Sequence, residues 1–352
     1  MYRSRALLRS YLTAGYALFI VYASLSPFSG WQEQGLEFWA VLTSPLGQTY
    51  SWFDAITNFL AYLPFGLLLG LTLRARLSAA GTVILATLAG VLLSALMEYT
   101  QMYLPNRISS NLDLLVNAFG MLSGVMLAVS ILPRAWFFYL MHWRFEFFQR
   151  GPGVDFGLAL VALWIFAQIN PSLPMLGNVF ITEMARQPFV PPQVEAFNLL
   201  ESASVSLNLL MLGTLLLTLL RSRRHAVAAL MLVLFVIALA KFAAAAVLLK
   251  SWALLLWLNG EAMLGVFIGV LCMSLVGWLA RPYLMRFGIV VACAYLVLAH
   301  GVLDSGAPSA AMRLYQWRFG HLLNYNGLSQ IVMAAFPLLL LAYLWRGARR
   351  QE

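Results

Sequence analysis

The sequence predicts an all-α polytopic membrane protein with about ten transmembrane helices and both termini in the cytoplasm. Three observations carry this. Hydrophobic residues make up 62% of the 352 and charged residues only 10%, against roughly 45–50% and 25% in soluble domains. Apolar stretches of about the 20 residues that a bilayer core demands recur along the whole chain. The basic residues cluster in alternate connections between those stretches. The first observation excludes a soluble enzyme and a disordered chain, because a soluble core of this size cannot hide such an excess. The net charge of +9 sorts by connection rather than into one patch, so it sets topology and meets anionic lipid, and nucleic acid is not an expected partner.

The stretches run over residues 8–27, 54–73, 80–102, 111–132, 155–171, 198–220, 226–249, 252–279, 287–303 and 321–345. The first has a basic start and a small-residue end at Ala23 and Ser24, like a signal peptide. It reads as an uncleaved anchor, since nothing downstream resembles a secreted domain. With the N-terminus inside, the cytoplasmic segments hold Arg3, Arg5, Arg9, Arg74, Arg76, Arg134, Arg144, Arg150, Arg221, Arg223, Arg224, Arg281, Arg286, Arg346, Arg349 and Arg350, 16 of the 22 basic residues. The opposite loops hold only Arg107, Arg186, Arg313 and Arg318. That is a positive-inside pattern. Cys272 and Cys293 both fall in predicted helices and imply no disulfide framework. No His or Cys pair has metal-ligand spacing, so neither a metal nor a cofactor is expected.

The chain divides into a four-helix region over residues 1–132, an aromatic and basic cytoplasmic linker over 133–154 that reads as an amphipathic surface segment, and a six-helix region over 155–352. Long loops follow Ser26-Pro27 and Asn170-Pro171. Each leads into a helix opened by Phe and a polar residue, Phe53-Asp54 and Phe197-Asn198. Gly120 and Gly124 have counterparts in Gly265 and Gly269. These correspondences point to parallel repeats in a 4+4+2 arrangement. Small residues four apart (Gly66 and Gly70; Ala86, Gly90 and Ser94; Gly120 and Gly124) line one face of each of the second, third and fourth helices and predict that the three pack closely.

Ionisable groups inside a bilayer are costly and are functional candidates by default. Asp54 and Asn58 are four apart at the start of the second helix. Glu98 and Gln101 are three apart at the end of the third. Asp113 and Asn117 are four apart at the start of the fourth, so each pair shares a helix face. Arg107 sits in the intervening loop with Ser109 and Ser110. All fall at the extracytoplasmic end. Two chemistries fit these residues. In one, Ser110 caps the fourth helix, Asp113 meets its dipole and Arg107 pairs with Glu98 or Asp113. In the other, Arg107 and the helix N-terminus receive a phosphate or carboxylate, while Glu98 and Asp113 handle protons as candidate catalytic groups.

The stretches from Asp54 to Gly70 (D-A-I-T-N-F-L-A-Y-L-P-F-G-L-L-L-G) and from Glu98 to Gly124 (E-Y-T-Q-M-Y-L-P-N-R-I-S-S-N-L-D-L-L-V-N-A-F-G-M-L-S-G) resemble the VanZ-like family, named for a protein linked to teicoplanin resistance. The resembling positions are Asp54, Asn58, Tyr62, Glu98, Gln101, Arg107, Ser110, Asp113, Asn117, Gly120 and Gly124, and the likeness covers roughly residues 8–132. Many members have His where this chain has Asn58. The resemblance implies a polytopic protein of the bacterial envelope in the cytoplasmic membrane, and it makes Asp54, Asn58, Tyr62, Glu98, Gln101, Arg107, Ser110, Asp113 and Asn117 candidate substrate-binding residues. It brings no agreed mechanism.

In the second half, Lys241 and Glu261 fall at a similar depth, roughly 12–14 Å below the extracytoplasmic surface at 1.5 Å per residue. They are expected to form a buried structural ion pair. Three functions remain open. The protein could bind a lipid-linked wall or polysaccharide intermediate, such as a polyprenyl-phosphate-linked glycan, or protect it from glycopeptides. It could be a transporter or flippase for an amphipathic anion, which predicts a midplane cavity. It could be a membrane transferase or phosphatase with Glu98 and Asp113 as acid and base, although no nucleophile or metal motif supports that.

Overall fold

The computed structural model describes residues 4–35, 37–45, 52–105, 107, 109–131, 135–181, 197–304, 306–317 and 320–349. Among them are helices α1 (Ser4–Leu25), α2 (Phe38–Thr43), α3 (Trp52–Leu73), α4 (Ala79–Gln101), α5 (Asn111–Ile131), α6 (Ala135–Phe147), α7 (Pro152–Gln168), α8 (Leu199–Leu219), α9 (Ala226–Leu248), α10 (Gly260–Val276), α11 (Arg281–Gly301) and α12 (Gly320–Arg349), with no strand beyond isolated bridges. Each of the ten predicted stretches falls on a helix of its own. Seven of these are long and apolar enough to cross a membrane, α7 and α10 are shorter apolar helices, and α1, which opens with Arg5 and Arg9, completes the set. This is an all-α, multi-pass membrane protein. Arg3, Arg134, Arg186, Arg318 and Arg350 of the charge pattern lie outside the described residues, as do the side chains of Arg5 and Arg349. The chain forms two compact units, Met1–Arg144 and Phe145–Glu352, and the division falls within the predicted linker.

In the first unit, α4 shows how sequence selects its surroundings. Leu85, Leu88, Leu92 and Leu96 recur at helical spacing and are all exposed, while Thr82, Ala86, Gly90, Ser94, Met97 and Glu98 on the other face are buried. An exposed leucine stripe of this length is unstable in water and natural in lipid. The small residues act as their spacing predicts. A Cβ on Gly66 would stand 2.2 Å from the Met121 carbonyl oxygen, one on Gly120 2.4 Å from the Phe59 oxygen, and one on Gly124 2.0 Å from the Leu63 oxygen. The backbones of α3 and α5 therefore touch directly, and α4 lies against α5 through Gly90, which faces the Met121 side chain.

The second unit is built around α8. Helices α7, α9, α10, α11 and α12 all pack on it, and 17 of its 21 residues are buried, polar Ser202, Ser204, Ser206 and Asn208 among them. Gly265 and Gly269 of α10 lie against α8, and a Cβ on Gly265 would stand 2.5 Å from the Ser202 carbonyl oxygen. This is the close approach seen between α5 and α3 in the first unit. The segment after α7 is irregular yet buried, including Asn170, Ser172, Leu173, Leu176, Asn178 and Phe180. Non-helical backbone at membrane depth needs internal partners. Here Asn326 Oδ1 accepts from Asn170 Nδ2 (3.0 Å), Ser172 Oγ (3.1 Å) and Tyr315 Oη (2.6 Å).

Lys241 serves the same segment, which corrects the expected ion pair. Its ammonium, fully buried, donates to the carbonyl oxygens of Asn170 (2.7 Å), Leu173 (2.8 Å) and Pro174 (3.3 Å). Glu261 instead sits half-buried in the first turn of α10 and accepts from the Asn198 backbone N–H at 3.5 Å. The depth comparison fails because α10 begins at Gly260, not near residue 252. The apolar run Trp252–Leu258 continues the hydropathy but forms turns, and Asn259 caps the helix through the Ala262 N–H. Glu261 is therefore at a helix end, while Lys241 lies seven residues inside α9.

Candidate functional site

Six polar side chains on α3, α4 and α5 meet in one buried cluster, and each helix contributes two of them at four-residue spacing: Asn58 and Tyr62, Ser94 and Glu98, Asp113 and Asn117. The spacing puts each pair on one face, and the glycine contacts below draw the three faces together. Asn58 Nδ2 donates to Asp113 Oδ1. Asn117 Nδ2 donates to Ser94 Oγ at 2.9 Å. The Tyr62 hydroxyl interacts with Ser94 and is in electrostatic reach of both Glu98 and Asp113, and those two carboxyls are in reach of each other. The residues are 4% (Tyr62), 0% (Ser94), 6% (Glu98), 9% (Asp113) and 5% (Asn117) exposed. In this buried cluster Asn117 Oδ1 has no hydrogen-bond partner among the described residues. Asp54 is half-buried one turn before Asn58 on the same face of α3. At about 1.5 Å per residue the column on α3 runs about 15 Å inward from Trp52 to Tyr62.

Toward the helix ends the polar groups turn outward and build a rim. Glu98 Oε2 accepts the Ser110 backbone N–H at 3.0 Å, the Glu98 carbonyl accepts from Ser109 Oγ at 2.7 Å, and Ser110 Oγ accepts the Leu112 N–H at 3.1 Å. The loop thus caps α5 with Ser110, as the sequence predicts, and Glu98 holds the capping residue. Gln101 Nε2 donates to the Ser24 carbonyl at 3.0 Å, and Arg107 Nη2 donates to the carbonyls of Ala23 (3.0 Å) and Ser26 (3.2 Å). Both satisfy carbonyl groups left open where α1 ends. The expected pairing of Arg107 with Glu98 or Asp113 is replaced by these contacts. Burial lowers the Arg107 guanidinium below its ordinary value, yet the group remains a cation at physiological pH. Both of its hydrogen bonds leave from one terminal nitrogen, so Nη1 and Nε are left for another acceptor.

The structure therefore separates residues that sequence spacing had joined. Glu98 pairs with its i−4 neighbour Ser94 in the inner cluster, and Gln101 belongs to the rim. Ser94 was visible in the sequence only as a small packing residue. Its polar role could have been found by extending the four-residue rule one turn back from Glu98. Asn111, also unremarked in the sequence, fastens α5 to the loop after α2 by donating to the Ser44 carbonyl at 2.6 Å. Among the described residues no group of three or more His, Cys, Asp or Glu side chains is placed to hold a metal.

In a comparison with known families, residues 7–133 match VanZ/LLP1. No curated protein and no solved structure matches the chain. The match contains every residue of the inner cluster and the rim, and it ends before α6.

Proposed function

We propose that this membrane protein, whose residues 7–133 are VanZ-like, holds the anionic head group of a lipid-linked envelope intermediate at the extracytoplasmic face of the bacterial cytoplasmic membrane. The observation that carries the reading is Arg107. It is a half-sheltered cation that gives Nη2 to two carbonyls and keeps its remaining donors for an outside partner. A guanidinium edge of that kind suits phosphate, and burial strengthens the charge-assisted bonds it can make. A polyprenyl-phosphate-linked glycan fits this chemistry: the phosphate meets Arg107, the lipid runs along the apolar face of the bundle, and sugar hydroxyls reach Asp54, Asn58, Gln101, Ser110 and Asn117. Sequestering such an intermediate would also limit glycopeptide access to it, which is the route to teicoplanin-type resistance that the family resemblance implies.

The test is lipidomics on protein purified in native nanodiscs. Polyprenyl-phosphate species are expected to co-purify with the wild type and to fall about tenfold or more in Arg107→Ala, with partial retention in Arg107→Lys. Equal recovery of every anionic lipid across the three overturns the reading. A second reading, transport of an amphipathic anion, is favoured by the depth of Tyr62. Uptake or efflux of a fluorescent lipid phosphate by proteoliposomes separates the two, because a binding protein moves none.

A further inference from the structure

We propose that a cavity in the second unit, between α11, α12 and the irregular segment after α7, is a binding site for the acetamido group of a small N-acetylated molecule. Two uncommitted donors line it. Tyr295 of α11 is 2% exposed, and its hydroxyl makes no hydrogen bond with any described residue. Asn178 is 6% exposed; its amide oxygen accepts from Ser204 Oγ at 3.5 Å, and its amide nitrogen donates to no described residue. Buried donors ordinarily have partners, so two of them beside one cavity call for an acceptor inside it. Gln330 of α12 supplies the opposite polarity. Its Nε2 donates to the Gly306 carbonyl at 3.3 Å, which leaves Oε1 as an acceptor. The remaining walls are the apolar side chains of Ala299, Met333 and Ala334.

These features select the ligand. Among the described residues no carboxylate, ammonium or guanidinium lines the cavity, so a neutral group suits it and an ion does not. Its volume is about 60 Å³, room for a few atoms and well below the roughly 150 Å³ that receives a benzene ring. Two donors suit a carbonyl oxygen with its two lone pairs, one acceptor suits one N–H, and the alanine and methionine walls suit a methyl group. A secondary acetamide presents all three within this volume. Its N-substituent leaves through the mouth, where His300 is exposed. That mouth lies where α11 ends and α12 begins, the side that the basic-residue pattern predicts to be extracytoplasmic. Tyr295 stands about 9 Å inward of Gly301 at 1.5 Å per residue. Water is the competing occupant, since the volume also holds a few molecules of it. The site stands on residues of the second unit alone and does not depend on the anion proposed at Arg107.

The experiment uses the full chain in nanodiscs, with saturation-transfer NMR reading which protons of an added probe touch the protein. N-acetylglucosamine is expected to receive saturation most strongly at its acetyl methyl. Glucosamine and glucose, which lack the acetyl group, are expected to receive none above an empty-nanodisc control. N-acetylalanine amide tests the other carrier of the same group. Methyl transfer to the sugar alone assigns the group to an amino sugar, transfer to the amide alone assigns it to an acylated peptide, and transfer to both makes the acetamide the whole determinant; each supports the site. Tyr295→Phe is expected to weaken binding about tenfold without lowering the unfolding midpoint, since its hydroxyl has no protein partner to lose. Ala299→Leu fills the cavity and is expected to abolish the transfer. No methyl transfer to either acetylated probe, equal transfer to glucose, or transfer unchanged in either variant would each overturn the proposal in favour of a cavity filled by water.

Discussion

Substituting Gly124 by alanine puts one methyl group into a place where two backbones touch. The added Cβ would lie 2.0 Å from the Leu63 carbonyl oxygen and 2.7 Å from the Leu67 nitrogen. Ordinary contact begins near 3.4 Å, so α3 and α5 must part by about 1.4 Å at this level. No side chain can rotate to relieve the clash, because both obstructing atoms are main-chain. Overpacking of a well-filled interface costs about 1–3 kcal/mol, and a main-chain obstruction belongs at or above the upper end. The displacement also reaches the cluster. Moving the two helices 1.4 Å apart breaks the Asn58–Asp113 hydrogen bond, which joins the same two helices. Chemical denaturation in nanodiscs should show a loss of about 3 kcal/mol for Gly124→Ala. Gly15→Ala in α1 is the control: its Cβ would meet nothing within 4 Å, so it should be neutral or stabilising by up to about 1 kcal/mol. Equal stabilities for Gly124→Ala and Gly15→Ala would refute the direct backbone contact on which the cluster's geometry rests.

Other outcomes follow from single contacts. Lys241→Met leaves the Leu173 carbonyl without its donor, while the Asn170 and Pro174 carbonyls keep the Leu173 and Gly177 N–H groups; at about 1–3 kcal/mol for an orphaned group it should cost the second unit about 1–3 kcal/mol, and an unchanged unfolding midpoint would show that the ammonium is dispensable. Asn326→Leu strips the acceptor shared by Tyr315, Ser172 and Asn170, so hydrogen exchange should quicken across residues 170–174 while α3–α5 stay protected. Gln101→Ala removes the bond to the Ser24 carbonyl. Faster exchange confined to residues 23–28 is expected, and no change there would mean that Arg107 alone secures the end of α1.

The apolar helices were legible because a transmembrane helix is written in its own sequence, as an apolar run of fixed length. Contacts between helices were legible only where a spacing rule applied. The glycines at 66, 70, 120 and 124 follow such a rule, and α3 and α5 touch through them. Lys241 follows none. Its partners are carbonyls of Asn170, Leu173 and Pro174, and a main-chain oxygen carries no side-chain signature, so the carboxylate of Glu261 drew the expectation instead. The pairing of Arg107 with Glu98 or Asp113, one of its two expected roles, failed for the same reason, since its acceptors are the carbonyls that end α1. The start of α10 was hidden by a different cause: hydropathy does not distinguish apolar turns over residues 252–258 from apolar helix, whereas the Asn259 cap does. Ser94 was read by its size when its hydroxyl also mattered.

The hold of Lys241 on the segment after α7 has a consequence for how the protein is made. The ammonium and its first carbonyl partner are 71 residues apart in the chain. At a synthesis rate of about 5–20 residues per second, roughly 4–14 s separate the emergence of the two. During that interval the Leu173 carbonyl lacks the ammonium that satisfies it, and an unpaired carbonyl is costly in hydrocarbon. The segment after α7 is therefore not fully satisfied until α9 has been made.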